Sequence, residues 1–248
     1  MSDTPLFVGV SKGEGGWVAV TFSAAGYEGA DVYDGIGGVW AAYEETAERI
    51  LVDVPIGLVE EAEAERPSDE AAREVLGPRA GAVITPPVRE AARKRRFPAA
   101  TRAQERNTGR ELSREAFERS DSIVAVDDLM QEVTEARPVI RESHPEVCFR
   151  AFAGTSLEHD PALAAGYAER MRALATFDRD APPIVQESAE ATAGHPVRVH
   201  TVLDAVALGY TARPGPGDLY TLPSDPPTDA TGLPMEMVYR APEPLGPA

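Results

Sequence analysis

With 248 residues, 43% of them hydrophobic, the chain is long enough for one large domain or two small ones around a sizeable core. Its net charge of -17 excludes broad, non-specific attachment to nucleic acid or to an anionic membrane, since both need a basic surface. The lone Cys148 excludes an internal disulfide and fits a reducing cytoplasm, and no apolar run approaches the ~18 residues of a membrane span, so a soluble, cytoplasmic protein is expected. Of the 24 basic residues only Lys12 and Lys94 are lysines. Excess Asp and Glu with almost no Lys suits a halophilic protein adapted to multimolar salt, and a GC-rich genome would also favour Arg. In 1 M salt the Debye length is about 3 Å, so a phosphate ligand has to be held by direct contact.

The apolar runs Leu6–Val10 and Trp17–Phe22 flank the turn Ser11-Lys12-Gly13-Glu14-Gly15-Gly16 and suit an antiparallel hairpin. Tyr27–Tyr33 reads as a third strand. Gly37–Arg49 has Val39, Trp40, Tyr43 and Ala47 near helical spacing, continued by Ile50. Ile50-Leu51-Val52-Asp53-Val54 is a continuous apolar run closed by Pro55 and Gly57, as in a strand buried on both faces.

From about 60 to 137 the chain becomes charged and helical. Ser68 is placed to cap a helix ending at Gly77, and Ser113 to cap a long one reaching about Glu135. Pro138–Arg141 reads as a fifth strand, followed by a loop through His144-Pro145-Glu146. Ala162–Leu174 and Val202–Ala212 read as helices, and 213–248, with nine of the 22 prolines, as an extended surface segment. The order strand, strand, strand, helix, strand, helical insertion, strand, helix is that of an RNase H-like α/β fold. It predicts a single domain over 1–248 with a central mixed five-stranded sheet, a helical insertion at 60–137 and a Pro-rich extension at 213–248.

Three carboxylates are candidates for divalent-metal chemistry, which draws acids together from separate elements. Asp53 ends the Ile-Leu-Val strand, where a buried carboxylate needs a compensating partner; capping the next turn is its other role. Asp204 is the only acid in Val199–Leu208. Thr201 and Asp204 also have capping-box spacing, and an acid in a first helical turn suits the dipole. Glu146 follows Pro145, which is read as forbidding a helix and fixing an extended turn. His144 is a ligand, a proton carrier or a hydrogen-bonded structural histidine, and Cys148 a small buried apolar residue. With one Cys and no ordered His cluster, a zinc site has little support.

These pieces, in this order, resemble the DUF429 family of predicted RNase H-like nucleases. The resembling blocks are Gly9-Val10 to Gly15-Gly16-Trp17, Val52-Asp53-Val54-Pro55-Ile56-Gly57-Leu58, Arg66-Pro67-Ser68-Asp69, and Pro86-Pro87-Val88-Arg89. They continue through Leu112-Ser113, Val126-Asp127, Glu142-Ser143-His144-Pro145-Glu146, Leu203-Asp204-Ala205 and Gly232–Tyr239. The resemblance implies a metal-dependent nuclease using Mg2+ or Mn2+, with Asp53, Glu146 and Asp204 at its proposed metal-ligand positions. It also exposes a departure: Ser11 stands where the family has a first-strand aspartate, and a neutral hydroxyl does not replace that charge. Glu14, three residues on in a glycine-rich turn, is the candidate substitute.

Two features bear on phosphate. The turn from Ser11 and Lys12 to Gly16 can cradle a phosphate through backbone amides, or simply permit a tight hairpin. Arg89, Arg93, Lys94, Arg95, Arg96, Arg102 and Arg106 concentrate positive charge in a short stretch. Arginine forks grip phosphate oxygens bidentately, while Glu90, Glu105 and other nearby acids offer internal pairing instead. The expectation is an RNase H-like, divalent-metal-dependent nuclease or phosphodiesterase-related protein that meets nucleic acid or a nucleotide by direct phosphate contacts. The alternatives are a non-catalytic nucleic-acid or nucleotide-binding relative and, third, a small-molecule phosphotransferase using the Gly-rich turn.

Overall fold

A computed structural model of the chain describes residues 4–61 and 65–248. Strands β1 (Leu6–Gly13), β2 (Gly16–Ser23) and β3 (Gly26–Tyr33) form an antiparallel meander. Helix α1 (Ile36–Tyr43) returns the chain to β4 (Ala47–Val52), which pairs parallel with β1, and β5 (Ile140–Glu142) pairs parallel with β4. The result is a mixed five-stranded sheet ordered β3-β2-β1-β4-β5 and flanked by helices, as the order of sequence elements predicts.

Both faces of the sheet are covered, which explains why its central strands read as unbroken apolar runs. Val8, Val10, Ile50 and Val52 point to the face covered by α1 and by α6 (Ser120–Glu132). Phe7, Val18, Phe22 and Leu51 point to the other face. There they meet α7 (Pro145–Ala153), α8 (Ala164–Phe177), α9 (Ala181–Ala191) and α10 (Val199–Ala212). Each such fully buried apolar side chain contributes roughly 1.5–3 kcal/mol. Helix α10 is apolar nearly all round because it is enclosed on almost every side. No described helix is long and apolar enough to cross a membrane.

The close seating of α10 on β1 depends on glycine. A Cβ on Gly9 would lie 2.0 Å from the Gly209 amide nitrogen and 2.2 Å from the Ala205 carbonyl, and one on Gly209 would strike the Phe22 ring. Gly9 shares its face of β1 with Ser11, so the same contact holds the N-terminal half of α10 over the end of that strand.

Between β4 and β5 the chain forms α2 (Pro67–Leu76), α3 (Arg89–Ala92), α4 (Phe97–Thr108), α5 (Arg114–Glu118) and α6. Residues 62–64 of the predicted 60–137 insertion lie outside the described residues.

Several expectations are corrected. The helix expected over Gly37–Arg49 ends at Tyr43, because the parallel ladder with β1 claims Ala47 onward and Ile50 is a strand residue. Ser113 caps α5 by accepting from the Ala116 amide, but the single long helix is two. It breaks at Arg119 because each half has its own partner: Ala116 packs on Ala100 and Leu112, while Ile123, Val126 and Met130 pack against the sheet side. Ser68 is buried in the first turn of α2, whose N-cap is Arg66 with Pro67 in the first helical position. Pro145 likewise begins a helix, since the first turn has no use for the N–H that proline lacks. Helix α9 likewise carries Pro182 and Pro183 in its first turn, just after Ala181.

Thr201 and Asp204 lie inside α10 and form no capping box, for the helix begins at Val199. The segment from 213 is more than a surface strap. It contains the hairpin β6 (Asp218–Leu222) and β7 (Met237–Ala241), and every β7 residue is buried. Val238 makes a parallel bridge to Ser143, just past β5.

Candidate functional site

The three predicted acids come from three elements and face one cleft. Asp53 is the first residue past β4, and its amide still donates to the Val10 carbonyl at 3.2 Å. Its carboxylate is held against the end of β1: the Ser11 hydroxyl donates to Oδ2 at 2.5 Å and the Lys12 amide to Oδ1 at 3.0 Å. Burial pushes the Asp53 carboxyl above its ordinary value, against the opposing pull of these two hydrogen bonds.

Asp204, on the α10 face seated over β1, is raised well above the usual carboxylate range. Burial is the main cause, followed by the negative charges of Asp53 and Glu146, while Arg170 and Arg119 pull the other way. No hydrogen-bond donor among the described residues serves its carboxylate.

Glu146 is the second residue of α7, where the helix dipole favours an acid. Its Oε1 accepts from Arg170, through Nε at 3.0 Å and a short contact from the second nitrogen, and Arg170 is itself fully buried. Its Oε2 is buried with no hydrogen-bond partner, and the Arg79 guanidinium approaches it to 3.5 Å. His144 is the N-cap of α7, with Nδ1 accepting from the Glu146 amide at 3.2 Å. Burial lowers His144 to about 4 despite nearby Glu146, in keeping with its part as an uncharged acceptor at the helix start.

The cleft has two lobes. One, about 720 Å³, is lined by Ser11, Lys12, Asp53, His200 and Asp204; the other, about 400 Å³, by Arg79, His144 and Glu146 together with Asp53, His200 and Asp204. Arg119, at the break between α5 and α6, lines both. The acids converge without meeting: their oxygens do not all lie within 4.8 Å of one another. Among the described residues the group that does so is Glu158, His159 and Glu169. There Glu169 accepts from the Glu158 and His159 amides and from the His159 ring, pinning the loop before α8.

The donor set fits a divalent cation in one respect and departs in another. Asp204 has no hydrogen-bond donor or ion pair among the described residues, and Glu146 Oε2 has no hydrogen bond, only the Arg79 guanidinium at 3.5 Å. Ser11 supplies a neutral hydroxyl, and that hydroxyl is already committed to Asp53. The set therefore suits one cation better than two.

The remaining predicted residues fall elsewhere. Glu14 lies at the rim, 71% exposed, and its carboxylate pairs with Arg198 at 2.8 Å and not with the acids. The Lys12 ammonium is bonded to the Gly13 carbonyl, its amide is taken by Asp53, and the hairpin loop is only Glu14-Gly15. Both Lys12 groups are thus bonded within the protein, in keeping with the tight-hairpin alternative for this turn.

Arg89 is an ion-pair hub, bonded to Asp127, Asp229 and Glu60, and Arg93 pairs with Asp127 and Asp128. Lys94 and Arg106 share Glu90. Internal pairing therefore prevails over phosphate contact at Arg89 and Arg93. Arg95 and Arg96 are exposed, have no ion pair among the described residues and line neither lobe.

The cleft-lining arginines Arg79, Arg119 and Arg198, and the buried Arg170 on Glu146, were missed by sequence reasoning. Nothing in a helical pattern marks one arginine as buried or inward-facing. His200 was findable: it precedes Asp204 by four residues, one helical turn, once α10 is begun at Val199.

The family model described as a protein of unknown function (DUF429) matches residues 9–228. No curated protein and no solved structure matches the chain.

Proposed function

The chain belongs to the DUF429 family, and from that premise we propose that it is an RNase H-like, divalent-metal-dependent phosphodiesterase or nuclease-related protein. The observation that carries the reading is Asp204, a carboxylate set beside Asp53 and Glu146 with no donor or cation bonded to it. Desolvating like charges side by side is costly, and a bound cation is the economical remedy. The strand order β3-β2-β1-β4-β5 and the seating of α10 across β1 support the RNase H-like assignment.

Asp53, Asp204 and Glu146 would hold Mg2+ or Mn2+. When bound, such an ion supplies the charge that acidifies water and steadies a leaving oxygen. The chain's own residues do the rest. Ser11 and the Lys12 amide orient the Asp53 carboxylate. Arg170 fixes one oxygen of Glu146 and leaves the other available. His144 sets the start of α7, and with it the position of Glu146. Nucleic acid or a nucleotide enters through its phosphate, gripped at short range because the molecule's charge offers no long-range attraction.

Ser11 favours the second reading, a non-catalytic binding relative in which the loss of one charge has silenced the chemistry. One experiment separates the two: Mg2+- and Mn2+-dependent cleavage of labelled single- and double-stranded DNA and RNA in high KCl, with wild type, Asp53→Asn and Ser11→Asp. Cleavage by wild type, lost in Asp53→Asn, is the expected result. Silence in wild type with activity in Ser11→Asp supports the binding relative, and silence in both sinks the nuclease reading for these substrates.

A further inference from the structure

Carboxylates outnumber cations in both lobes of the cleft, and each cation but one is engaged. Lys12 bonds the Gly13 carbonyl, Arg198 holds Glu14, and Arg79 lies against Glu146. Arg119 has no hydrogen bond or ion pair from its guanidinium among the described residues, although Glu115, Glu118 and Asp121 are close in sequence. It is exposed and lines both lobes, and its charge bears on Asp53, Asp204 and His144 together. The helix break at residue 119, set by the separate packing of α5 and α6, is what brings it there.

The walls also bear on ligand size. Neither lobe is lined by Phe, Tyr or Trp, His200 being the one ring common to both, and acids such as Glu14, Asp121 and Asp160 stand at the cleft. A long single strand asks for the opposite, a cationic track with aromatic platforms. Lobes of about 720 and 400 Å³ are in the range of small-molecule sites.

We propose that Arg119 is the residue that receives the substrate phosphate, and that the cleft takes a short phosphodiester of one or two nucleotide units and not a long strand. This rests on the phosphodiesterase reading and narrows it. The phosphate spans the shared wall of the two lobes, with the guanidinium fork on its non-bridging oxygens and the flanking groups in either lobe.

The test is calorimetric titration of the full chain in high KCl with the dinucleotide pTpT and with a 20-nucleotide thymidine strand, each with and without Ca2+. Wild type, Arg119→Ala, Arg119→Lys and the double variant Arg95→Ala/Arg96→Ala are compared. The expected results are pTpT and the long strand binding within about threefold of one another, and a loss of about tenfold or more in Arg119→Ala, the scale of one charge-assisted contact. Arg119→Lys should recover only part of that loss, because a point charge lacks the fork. The double variant should match wild type.

Unchanged binding by Arg119→Ala overturns the proposal, as does no binding of pTpT to wild type. A long strand bound far more tightly than pTpT, with that advantage lost in the double variant, overturns it in favour of a strand running over α3 and α4. A parallel Mn2+ titration without ester separates the two readings. Failure of wild type to bind Mn2+ removes the metal site, whereas Mn2+ binding with ester binding indifferent to residue 119 removes only the role of Arg119.

Discussion

Arg89 and Asp204 are charged side chains held largely away from water, one in the helical insertion and one beside the sheet. Arg89 is met by Asp127, Asp229 and Glu60, and its carboxylate partners are hydrogen-bonded in turn: Asp229 also accepts from the Leu58 and Leu233 amides. Asp204 is met by two further acids, by the more weakly felt charges of Arg170 and Arg119, and by no hydrogen-bond donor among the described residues. In the first cluster each charge is answered by the protein, which makes it a structural device that ties the C-terminal segment to the insertion. In the second the protein leaves negative charge unanswered, which is the mark of a place where something else binds. Composition does not separate the two clusters; their partners do.

The sharpest way to break this comparison is at the balanced cluster. Arg89→Ala leaves Asp229 without a cation and Asp127 with Arg93 alone, and should cost about 3 kcal/mol, lowering Tm by on the order of 10 °C. Denaturant melts showing a loss under about 1 kcal/mol would return Arg89 to the list of free phosphate ligands. Next in size is Gly9→Ala, whose new methyl has no room beneath Gly209 and Ala205. Overpacking costs roughly 1–3 kcal/mol. By lifting α10 it should also weaken Mn2+ binding several-fold, so intact Mn2+ affinity in a destabilised variant would separate the seating of α10 from the acid site.

Asp204→Asn should move stability in the opposite direction from Arg89→Ala. The folded-state pKa of Asp204 lies above its unfolded value of about 3.9, so its contribution to stability is full below that value and is lost as pH rises through the folded pKa. Without metal, Asp204→Asn should therefore melt a few degrees above wild type at pH 8, with the gap closing as the pH falls. Mn2+ should reverse the order by stabilising wild type alone. A wild type more stable than Asp204→Asn in metal-free buffer at pH 8 would show that the acid is compensated after all. The smallest effect is expected at His144→Ala, which removes the cap of α7 at about 1 kcal/mol. Because the folded imidazole titrates below its unfolded value of about 6.5, protonation favours the unfolded chain, so that loss should be full at pH 8 and smaller at pH 6 in thermal melts.

Local patterns carried much of the architecture. Strands β1, β2 and β3, the continuous run into Asp53 and the helix ending at Ala212 were legible because alternation, apolar runs and turn residues act over a few neighbours. Proline at a helix start and a strand within a Pro-rich tail were misread, because the same residues serve a break and a beginning.

The sequence by itself determined the three acids, the serine at position 11 and an apolar pattern that closes a mixed sheet. Only the tertiary structure decided which charges are answered. Arg89 finds Asp229 140 residues away, Glu146 finds Arg170 24 residues on, and Arg119 is left without a partner among the described residues at a helix break that two separate packing surfaces impose. Periodicity within a segment records which face is apolar, but a charge's partner is chosen by whatever long-range packing brings alongside it. Here that packing turns on contacts as local in space, and as distant in sequence, as Gly9 beneath Gly209.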